Sequence, residues 1–129
     1  VEFLAGSTIE PFRSLAEGVM LLTPFTADAQ DERTVSFVTK YQELYNEVPN
    51  QFAADGYDCV YAIYEACMKA GVTADMNASD ICDTLIATFT DASFTVDGLT
   101  GEGMTWSQSG EVSKAPKGMV MENGVYVGM

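Results

Sequence analysis

The side chains that most often carry out catalysis are scarce in this chain. Its 129 residues include no histidine, which removes Ser-His-Asp and Cys-His nucleophile systems and most zinc sites. Cys59 and Cys67 lie about 12 Å apart along one predicted helix, too far to form a disulfide with each other. Cys82 falls on the next helix and could meet either of them, but we interpret all three as buried packing residues. We therefore predict that the chain is not an enzyme.

Two further segments have only part of the pattern of a ligand site. Residues 98–103, GLTGEG, are rich in glycine but are not followed by Lys-Ser or Lys-Thr, and Glu102 stands where phosphate would bind. Asp28 and Asp31 lack the spacing, glycine and final glutamate of a calcium loop, and so do Asp75 and Asp80. We interpret both pairs as solvated residues at helix starts. We predict no metal and no cofactor.

Aromatic residues at the ends of predicted elements are better candidates for ligand contact. Phe25 follows a predicted strand and Phe52 precedes a predicted helix. Aromatic side chains in such places often line clefts for small ligands, because they offer apolar area at a low entropic cost. Core packing is the commoner role of such residues, so the pattern alone leaves both roles open.

The composition is that of a globular, acidic protein. Hydrophobic residues make up 47% and charged residues 19% of the sequence, which is enough apolar material for a folded core. The formal net charge of −13 repels nucleic acids, which we exclude as partners, and it disfavours binding to anionic membranes. No apolar run approaches the roughly 20 residues that span a bilayer. The first residues do not have the pattern of a signal peptide.

The hydrophobic pattern predicts one strand followed by three helices. The run 19–22 reads as a buried strand, and apolar positions between 34 and 45 have helical spacing up to the stop at 48–50. The second helix is predicted from Ala53 to Ala70. It is apolar nearly all round, which predicts burial on more than one side; one face carries Tyr57, Val60, Tyr61, Tyr64, Cys67 and Met68. The third helix begins near 77–79.

Short strands are predicted after the helices. Segments 94–96, 101–106 and 118–127 are rich in glycine and β-forming residues. The dipeptide Asn123-Gly124 lies between two apolar runs, which is a strong signal for a hairpin. The order of a strand, three helices, short strands and a hairpin predicts an α/β fold.

Three stretches stand out together: residues 17–25 (EGVMLLTPF), residues 37–41 (FVTKY) with 49–58 (PNQFAADGYD), and residues 98–101 (GLTG) with the turn that follows. In their order and spacing they resemble the branched-chain amino-acid-binding proteins of ABC importers. The second is similar to the family pattern of a helix ending in Tyr, a Pro, and then Phe-Ala-x-x-Gly-Tyr-Asp-Ala. The three are specific only in combination. The chain resembles the C-terminal part of such a protein.

The resemblance implies a fragment of a two-lobed type I periplasmic-binding-protein fold. In that fold, two α/β lobes joined by three hinge strands close on a ligand and present a new surface to a permease. Residues 1–25 are then expected to end a second-lobe section and to include a hinge strand. Residues 26–118 are expected to form the C-terminal section of the first lobe, and residues 119–129 to return toward the second lobe.

The resemblance also implies ligand contacts. Phe52 matches a family position that often packs on the ligand's side chain, and it is the first candidate for ligand binding. Thr23, Phe25 and Tyr57 are further candidates, with structural roles equally open. Where the family usually has an acidic residue for the ligand's ammonium group, Ser7 is the nearest match and carries no charge. The ligand is therefore left open between an amino acid and a related small molecule.

The predicted function is solute binding for an ABC importer by a partial chain. The protein is expected outside the cytoplasm, in the periplasm or as a cell-surface lipoprotein, with a small-molecule ligand and an ABC permease as partners. A sensory ligand-binding domain of the same fold in a receptor is the alternative. Because the family's first half is missing, we expect exposed apolar surface, which homodimer formation or strand exchange of the fragment could cover.

Overall fold

The computed structural model describes residues 13–129, without the side chains of Arg13 and Val125. Ser7 lies outside the described residues. The described residues divide into two compact units: the first comprises residues 13–51 together with Pro116–Met129, and the second comprises Phe52–Ala115. The elements in chain order are α1 (Arg13–Ala16), β1 (Met20–Thr23), α2 (Glu32–Tyr45), α3 (Gln51–Ala70), α4 (Ala78–Phe89), β2 (Lys117–Glu122) and β3 (Val125–Gly128). The predicted order of a strand, three long helices and a hairpin is confirmed, while the single turn α1 was not predicted.

The first unit contains a three-stranded antiparallel sheet in the order β1-β2-β3. Met20 of β1 lies opposite Val120 of β2, which in turn lies opposite Val127 of β3. Asn123 and Gly124 close the hairpin with φ angles of 53° and 79°. Two successive positive φ angles are the mark of a type I′ turn, whose twist matches that of the strands it joins. The predicted hairpin is therefore present at the predicted dipeptide.

Strand β1 is less buried than its sequence predicted. Met20 is 66% exposed and Leu22 is 72% exposed, and Thr23 is the only fully buried residue of the strand. A run of apolar residues predicts burial on both faces, but among the described residues nothing covers the face that carries Met20 and Leu22. This surface agrees with the expectation of exposed apolar area.

Helix α2 has clear signals at both ends. The side chain of Asp31 accepts a hydrogen bond from the amide of Thr34 at 2.9 Å, which satisfies one of the free amides of the first turn. At the other end, Asn46 adopts the left-handed conformation with a φ of 56° and its amide donates to the carbonyl of Gln42. The capping side chain of Asp31 and the left-handed conformation of Asn46 therefore determine where the helix begins and ends.

We expect the stability of the first unit to depend on the ionisation of Asp31. The hydrogen bond from the Thr34 amide lowers the pKa of Asp31 below its ordinary value of 3.8. As the pH falls, the Asp31 carboxyl group therefore takes up a proton in the unfolded chain before it does so in the folded chain. The stabilisation that the ionised Asp31 provides is complete above about pH 4 and is lost as the pH falls through the lowered pKa. Asp31→Asn keeps a capping oxygen but cannot titrate. Between about pH 5 and about pH 2.5, the urea concentration at the midpoint of unfolding should fall less for this variant than for the unsubstituted chain. Equal falls in the two proteins would contradict the prediction.

The core of the second unit forms where α3 meets the chain after α4. Its buried cluster consists of Ala62, Ala66, Phe94, Val96 and Met104. Phe89 of α4 packs edge-on against Trp106, with ring centroids 4.8 Å apart. Small residues on α3 allow the chain to approach closely, and the large side chains fill the space around them.

Regular strands are absent from the described part of the second unit. Segments 94–96 and 101–106 were predicted as strands, but they contribute only the isolated bridges Val96–Met104 and Trp106–Val112. The glycines and turns between these segments leave too few consecutive residues for a ladder. These strand predictions are therefore wrong.

The buried face of α3 is not the predicted one. The helix buries Ala54, Asp58, Ala62 and Ala66, spaced by four residues. Of the residues predicted to form a buried face, Val60, Tyr61, Tyr64 and Met68 are between 48% and 67% exposed. The close approach of residues 94–104 requires small side chains, so the large ones lie on sides that no described residue covers. The prediction of burial on more than one side is wrong for this chain.

The cysteines are also more exposed than predicted. Cys59 and Cys82 are exposed, Cys67 is partly buried, and all three are free thiols. Helix α4 has no fully buried residue, which accounts for Cys82, and Cys59 follows the buried Asp58 on the outward side of α3. The interpretation of these two cysteines as buried packing residues is wrong.

Candidate ligand-binding site

The first unit contains a cavity of about 420 Å³, which is a typical size for a small-molecule site. Strands β1 to β3, helix α2 and the first residue of α3 all contribute to it. Large apolar side chains from these elements form most of its wall: Leu21, Phe25, Val38, Val48, Met119 and Tyr126. The polar side chains that reach it are Thr23, Asp28, Gln42, Asn50 and Gln51.

Strand periodicity explains which residues of β1 reach the cavity. Side chains alternate between the two faces of a strand, and Leu21 and Thr23 line the cavity while Met20 and Leu22 are exposed. Helical spacing does the same for α2, because Val38 and Gln42 are four residues apart and share one face. The alternation of side chains along β1 and the orientation of α2 therefore determine which of their residues line the cavity.

Thr23 and Gln51 form the polar centre of the cavity. Thr23 is 3% exposed; its hydroxyl accepts from the amide of Phe25 at 3.3 Å and lies 2.8 Å from Oε1 of Gln51. The carbonyl oxygen of Phe25 lies 3.1 Å from the same hydroxyl. A hydroxyl has a single proton, and the shorter bond, to Gln51, is favoured. Within residues 13–129, Nε2 of Gln51 has no acceptor, so its two N–H groups can meet a ligand.

Phe25 lies at the boundary between cavity and core. Its side chain is 3% exposed and packs edge-on against Phe37 of α2, with ring centroids 6.0 Å apart. The aromatic row continues along α2 to Tyr41 and Tyr45. Phe25 thus packs on the core and also lines the cavity, while its contact with a ligand stays a prediction.

The remaining predicted residues lie elsewhere. Phe52 and Tyr57 belong to the second unit; Phe52 is 66% exposed and Tyr57 packs on Tyr61 with centroids 4.6 Å apart. Ser7 precedes the described residues. The structure therefore brings Thr23 and Phe25 together, and ligand contact by all five residues stays a prediction.

Sequence reasoning missed four polar residues of the cavity, Asp28, Gln42, Asn50 and Gln51. Asp28 was interpreted as a helix-start charge, but α2 begins at Glu32 and Asp31 caps it. The carboxylate of Asp28 instead accepts from the amide of Gly128 at 3.1 Å, so that interpretation is wrong for Asp28. Gln51 gave no signal of its own, since its partner Thr23 is 28 residues away. The only indication in the sequence that Asp28 has a role other than a helix start was its position three residues before the N-cap Asp31.

A buried carboxylate organises the second unit. Asp58 on α3 is 4% exposed and accepts hydrogen bonds from the amides of Leu99 and Thr100 at 2.8 Å each, and from the Thr100 hydroxyl at 2.6 Å. A Cβ atom at Gly98 would overlap this carboxylate. The segment 98–101 is therefore a loop fastened to α3, which accounts for its glycine and threonine without a phosphate ligand.

Solved structures provide the link to known proteins, since the chain matches no protein-family profile and no curated protein sequence. A protein described as a branched-chain amino acid ABC transporter of Rhodospirillum rubrum is 30% identical over 94% of this chain and 33% of its own, with a TM-score of 0.66. An ABC transporter substrate-binding protein of Desulfitobacterium hafniense in complex with Leu is 21% identical over 90% of this chain and 32% of its own, with a TM-score of 0.72. A solute-binding protein of R. palustris in complex with benzoate is 14% identical over 88% and 29%, with a TM-score of 0.69.

These neighbours define what the chain resembles. The chain spans about a third of the length of the solved structures that it matches. Substrate-binding proteins of ABC transporters are not enzymes, in agreement with the prediction from the sequence. Among the described residues, no helix is long and apolar enough to cross a membrane. The chain is a partial type I periplasmic-binding-protein fold that resembles the C-terminal part of the branched-chain amino-acid-binding proteins of ABC transporters.

Proposed function

We propose that the chain is part of an extracytoplasmic solute-binding protein that captures a small molecule and delivers it to an ABC permease. The observation that carries the proposal is the similarity to the R. rubrum protein, which extends over 94% of this chain at 30% identity. The cavity of the first unit, with an apolar wall and a few polar groups, adds a place for a small ligand.

The proposed arrangement assigns residues 1–25 to the end of a second-lobe section with a hinge strand. Residues 26–118 belong to the first lobe, and residues 119–129 return toward the second. The pairing of β1 with β2 supports the first and last of these assignments, because it lays Met119 beside Leu21. The exposed apolar residues of β1 and α3 are then covered by the rest of the full-length protein. In the isolated chain, the same residues are available for homodimer formation or strand exchange.

The proposed ligand contacts are Phe52, Thr23, Phe25, Tyr57 and Ser7. Thr23 and Phe25 are supported by their place in the cavity wall. Phe52 is supported by its exposure of 66%, since a large exposed aromatic ring at the start of a helix is available to a ligand. The ligand is proposed to be an amino acid or a related small molecule.

The proposal is tested by a thermal-shift panel on the full-length protein that contains this segment, with the 129-residue chain beside it. A ligand at about 100 times its Kd stabilises the folded state by about 2.7 kcal/mol, which raises the Tm by several degrees. We expect at least one solute among leucine, isoleucine, valine, small amines and small carboxylates to do this for the full-length protein. The isolated chain should respond weakly, because it provides only one side of the cleft.

A matched pair of variants shows whether the ligand uses the proposed site. In the full-length protein, Phe52→Ala should reduce the shift, whereas Ile63→Ala, another exposed apolar residue of α3 at 50% exposure, should leave it unchanged. No response of the full-length protein to any solute of the panel would contradict the proposed function.

A further inference from the structure

We propose that the 129-residue chain pairs with a second copy of itself through α3, as two antiparallel helices. The surface is the seam of α3, a row of residues with coiled-coil spacing: Ala53, Gly56, Val60, Ile63, Cys67 and Ala70. Their alternating separations of three and four residues are those of the a and d positions of heptads, which keep one side of a helix turned toward a partner helix. The proposal concerns the 129-residue chain and does not depend on solute capture.

The seam lies on a side of α3 that the described residues leave accessible. At about 100° per residue, it lies roughly 150° around the helix from the buried row that includes Ala62 and Ala66. Val60 is 66% exposed and Ile63 is 50% exposed. Gly56 is also exposed, and a Cβ atom there would meet nothing within 4 Å. The middle of the seam is therefore an apolar surface with an open notch at Gly56.

The order of residue sizes along the seam favours a second copy as the partner. When two copies run antiparallel about the midpoint of the seam, Val60 lies opposite Ile63 of the second copy, and Gly56 lies opposite Cys67 of the second copy. The largest residues of the seam then meet at its centre. On either side of the centre, a Cys67 side chain fills the notch at Gly56. A surface that is complementary to itself in this way forms an isologous dimer, in which every contact occurs twice.

The seam also avoids the charge that keeps two copies apart. The chain carries a formal net charge of −13, so two copies repel each other. The positions that flank a heptad seam, e and g, are often charged, but here they hold only uncharged residues: Phe52, Tyr57, Cys59, Tyr64 and Ala66. The charged residues of α3 all lie at other heptad positions: Asp55, Asp58, Glu65 and Lys69. Pairing through the seam therefore brings no carboxylates of α3 together.

The area of the seam implies a reversible dimer. A large side chain has roughly 200 Å² of surface, and those of Val60, Ile63 and Tyr64 are exposed by 66%, 50% and 60%. With the smaller residues around them, this side of α3 offers roughly 600 Å² per copy, somewhat less than the about 800 Å² per partner of a typical stable interface. We therefore expect a dissociation constant on the order of 10 µM.

Analytical ultracentrifugation of the 129-residue chain tests the proposal, at concentrations from about 1 µM to about 300 µM on either side of the expected constant. We expect monomers at the low end and dimers at the high end. Val60→Glu should raise the dissociation constant at least about tenfold, because it places a charge at the centre of the seam, where pairing would remove it from water. Raising the NaCl concentration from about 0.05 M to about 0.5 M should strengthen the dimer, since salt screens the repulsion between the copies.

Met68→Glu is the matched control. Met68 belongs to the same helix and is 67% exposed, against 66% for Val60. It lies outside the seam and its e and g flanks, so this variant adds the same charge to α3 without placing it between the copies. It should dimerise as the unsubstituted chain does. Circular dichroism of both variants checks that the helices are retained.

Gly56→Cys tests the direction of the pairing. The new thiol lies opposite Cys67 of the second copy, which is a free thiol, and mild oxidation should join the two in a disulfide that mass spectrometry of the linked peptides identifies. Within one chain, positions 56 and 67 are about 16 Å apart along α3, too far for a bridge, so this link reports on two copies. Antiparallel pairing separates the two Cys67 residues by a similar distance, and they should not link to each other.

Four results would overturn the proposal. The first is a chain that stays monomeric up to about 300 µM. The second is a dimer that Val60→Glu leaves unchanged, because another surface, such as the exposed face of β1, would then hold it. The third is an equal effect of Met68→Glu, which would reflect net charge alone, and the fourth is a link between two Cys67 residues, which requires parallel helices. None of these results bears on ligand binding by the full-length protein, so this proposal and the proposed function fail independently.

Discussion

Gly98→Ala is expected to destabilise the second unit by about 3 kcal/mol. The new Cβ atom would overlap the carboxylate group of Asp58, with Oδ1 at 2.6 Å. The carboxylate cannot swing aside freely, because its two oxygens accept from the amides of Leu99 and Thr100. Either the loop moves away from α3 or these amides lose their partner in a buried place, and both changes cost free energy.

Gly56→Ala is the matched control for this substitution. Gly56 lies on α3 in the same unit, and a Cβ atom there would meet nothing within 4 Å. Alanine is favoured over glycine within a helix by about 1 kcal/mol, so this variant should be as stable as the unsubstituted chain or more stable. Urea unfolding followed by circular dichroism measures both. If the two variants unfold at the same urea concentration, the overlap with Asp58 is not a constraint on the fold.

The helices could be predicted because their signals are local. Asn77 caps α4 by accepting from the amide of Asp80 at 3.0 Å, and this was visible as an Asn before an apolar stripe. Pro49 similarly separates α2 from α3. Asn123-Gly124 fixed the hairpin, since few other dipeptides adopt two positive φ angles. Each of these signals acts within a few residues, so one sequence contains all of it.

Burial could not be predicted in the same way. The period of apolar residues on α3 identifies the apolar faces of the helix, but it cannot say what covers them. Tyr61 and Tyr64 lie on such a face and are 48% and 60% exposed, while Asp58 is 4% exposed. Asp58 can be buried because it accepts hydrogen bonds from Leu99 and Thr100. These partners lie more than 40 residues away in the chain. Contacts of that separation have no signature in local periodicity.

The candidate site was only partly predictable for the same reason. Phe25 was singled out by its place after a predicted strand, whereas Thr23 was named only through a resemblance to a family, which carries three-dimensional information that a single sequence lacks. Gln51 and Asp28 matter in the cavity through contacts with Thr23 and Gly128, which lie 28 and 100 residues away in the chain. Their residue types alone suit many surface positions equally well.

Asp58→Asn is expected to lower the stability of the second unit by about 2 to 3 kcal/mol. The carboxylate of Asp58 has an acceptor oxygen for the amide of Leu99 and another for the amide and hydroxyl of Thr100. An asparagine side chain has one acceptor oxygen, so its amide nitrogen would face an N–H donor. At least one buried amide would then lose its partner.

Asp55→Asn controls for the loss of charge on the same helix. Asp55 pairs with Lys114 at 2.7 Å, and both side chains are partly exposed, at 34% and 24%. Ion pairs of this kind contribute at most about 1 kcal/mol, so this variant should lose much less stability than Asp58→Asn. Equal losses in the two variants would show that charge, and not the geometry of the buried acceptor, sets the effect.

The variant that combines Gly98→Ala with Asp58→Asn tests whether the two substitutions act on one contact. Gly98→Ala destabilises the fold by displacing the Asp58 carboxylate from the amides of Leu99 and Thr100, and Asp58→Asn has already weakened those bonds. The double variant should therefore lose less stability than the sum of the single losses, by about 1 kcal/mol or more. A double-mutant cycle in urea measures this difference. Additive losses would mean that Gly98 is needed for the course of the loop itself, independently of the carboxylate beneath it.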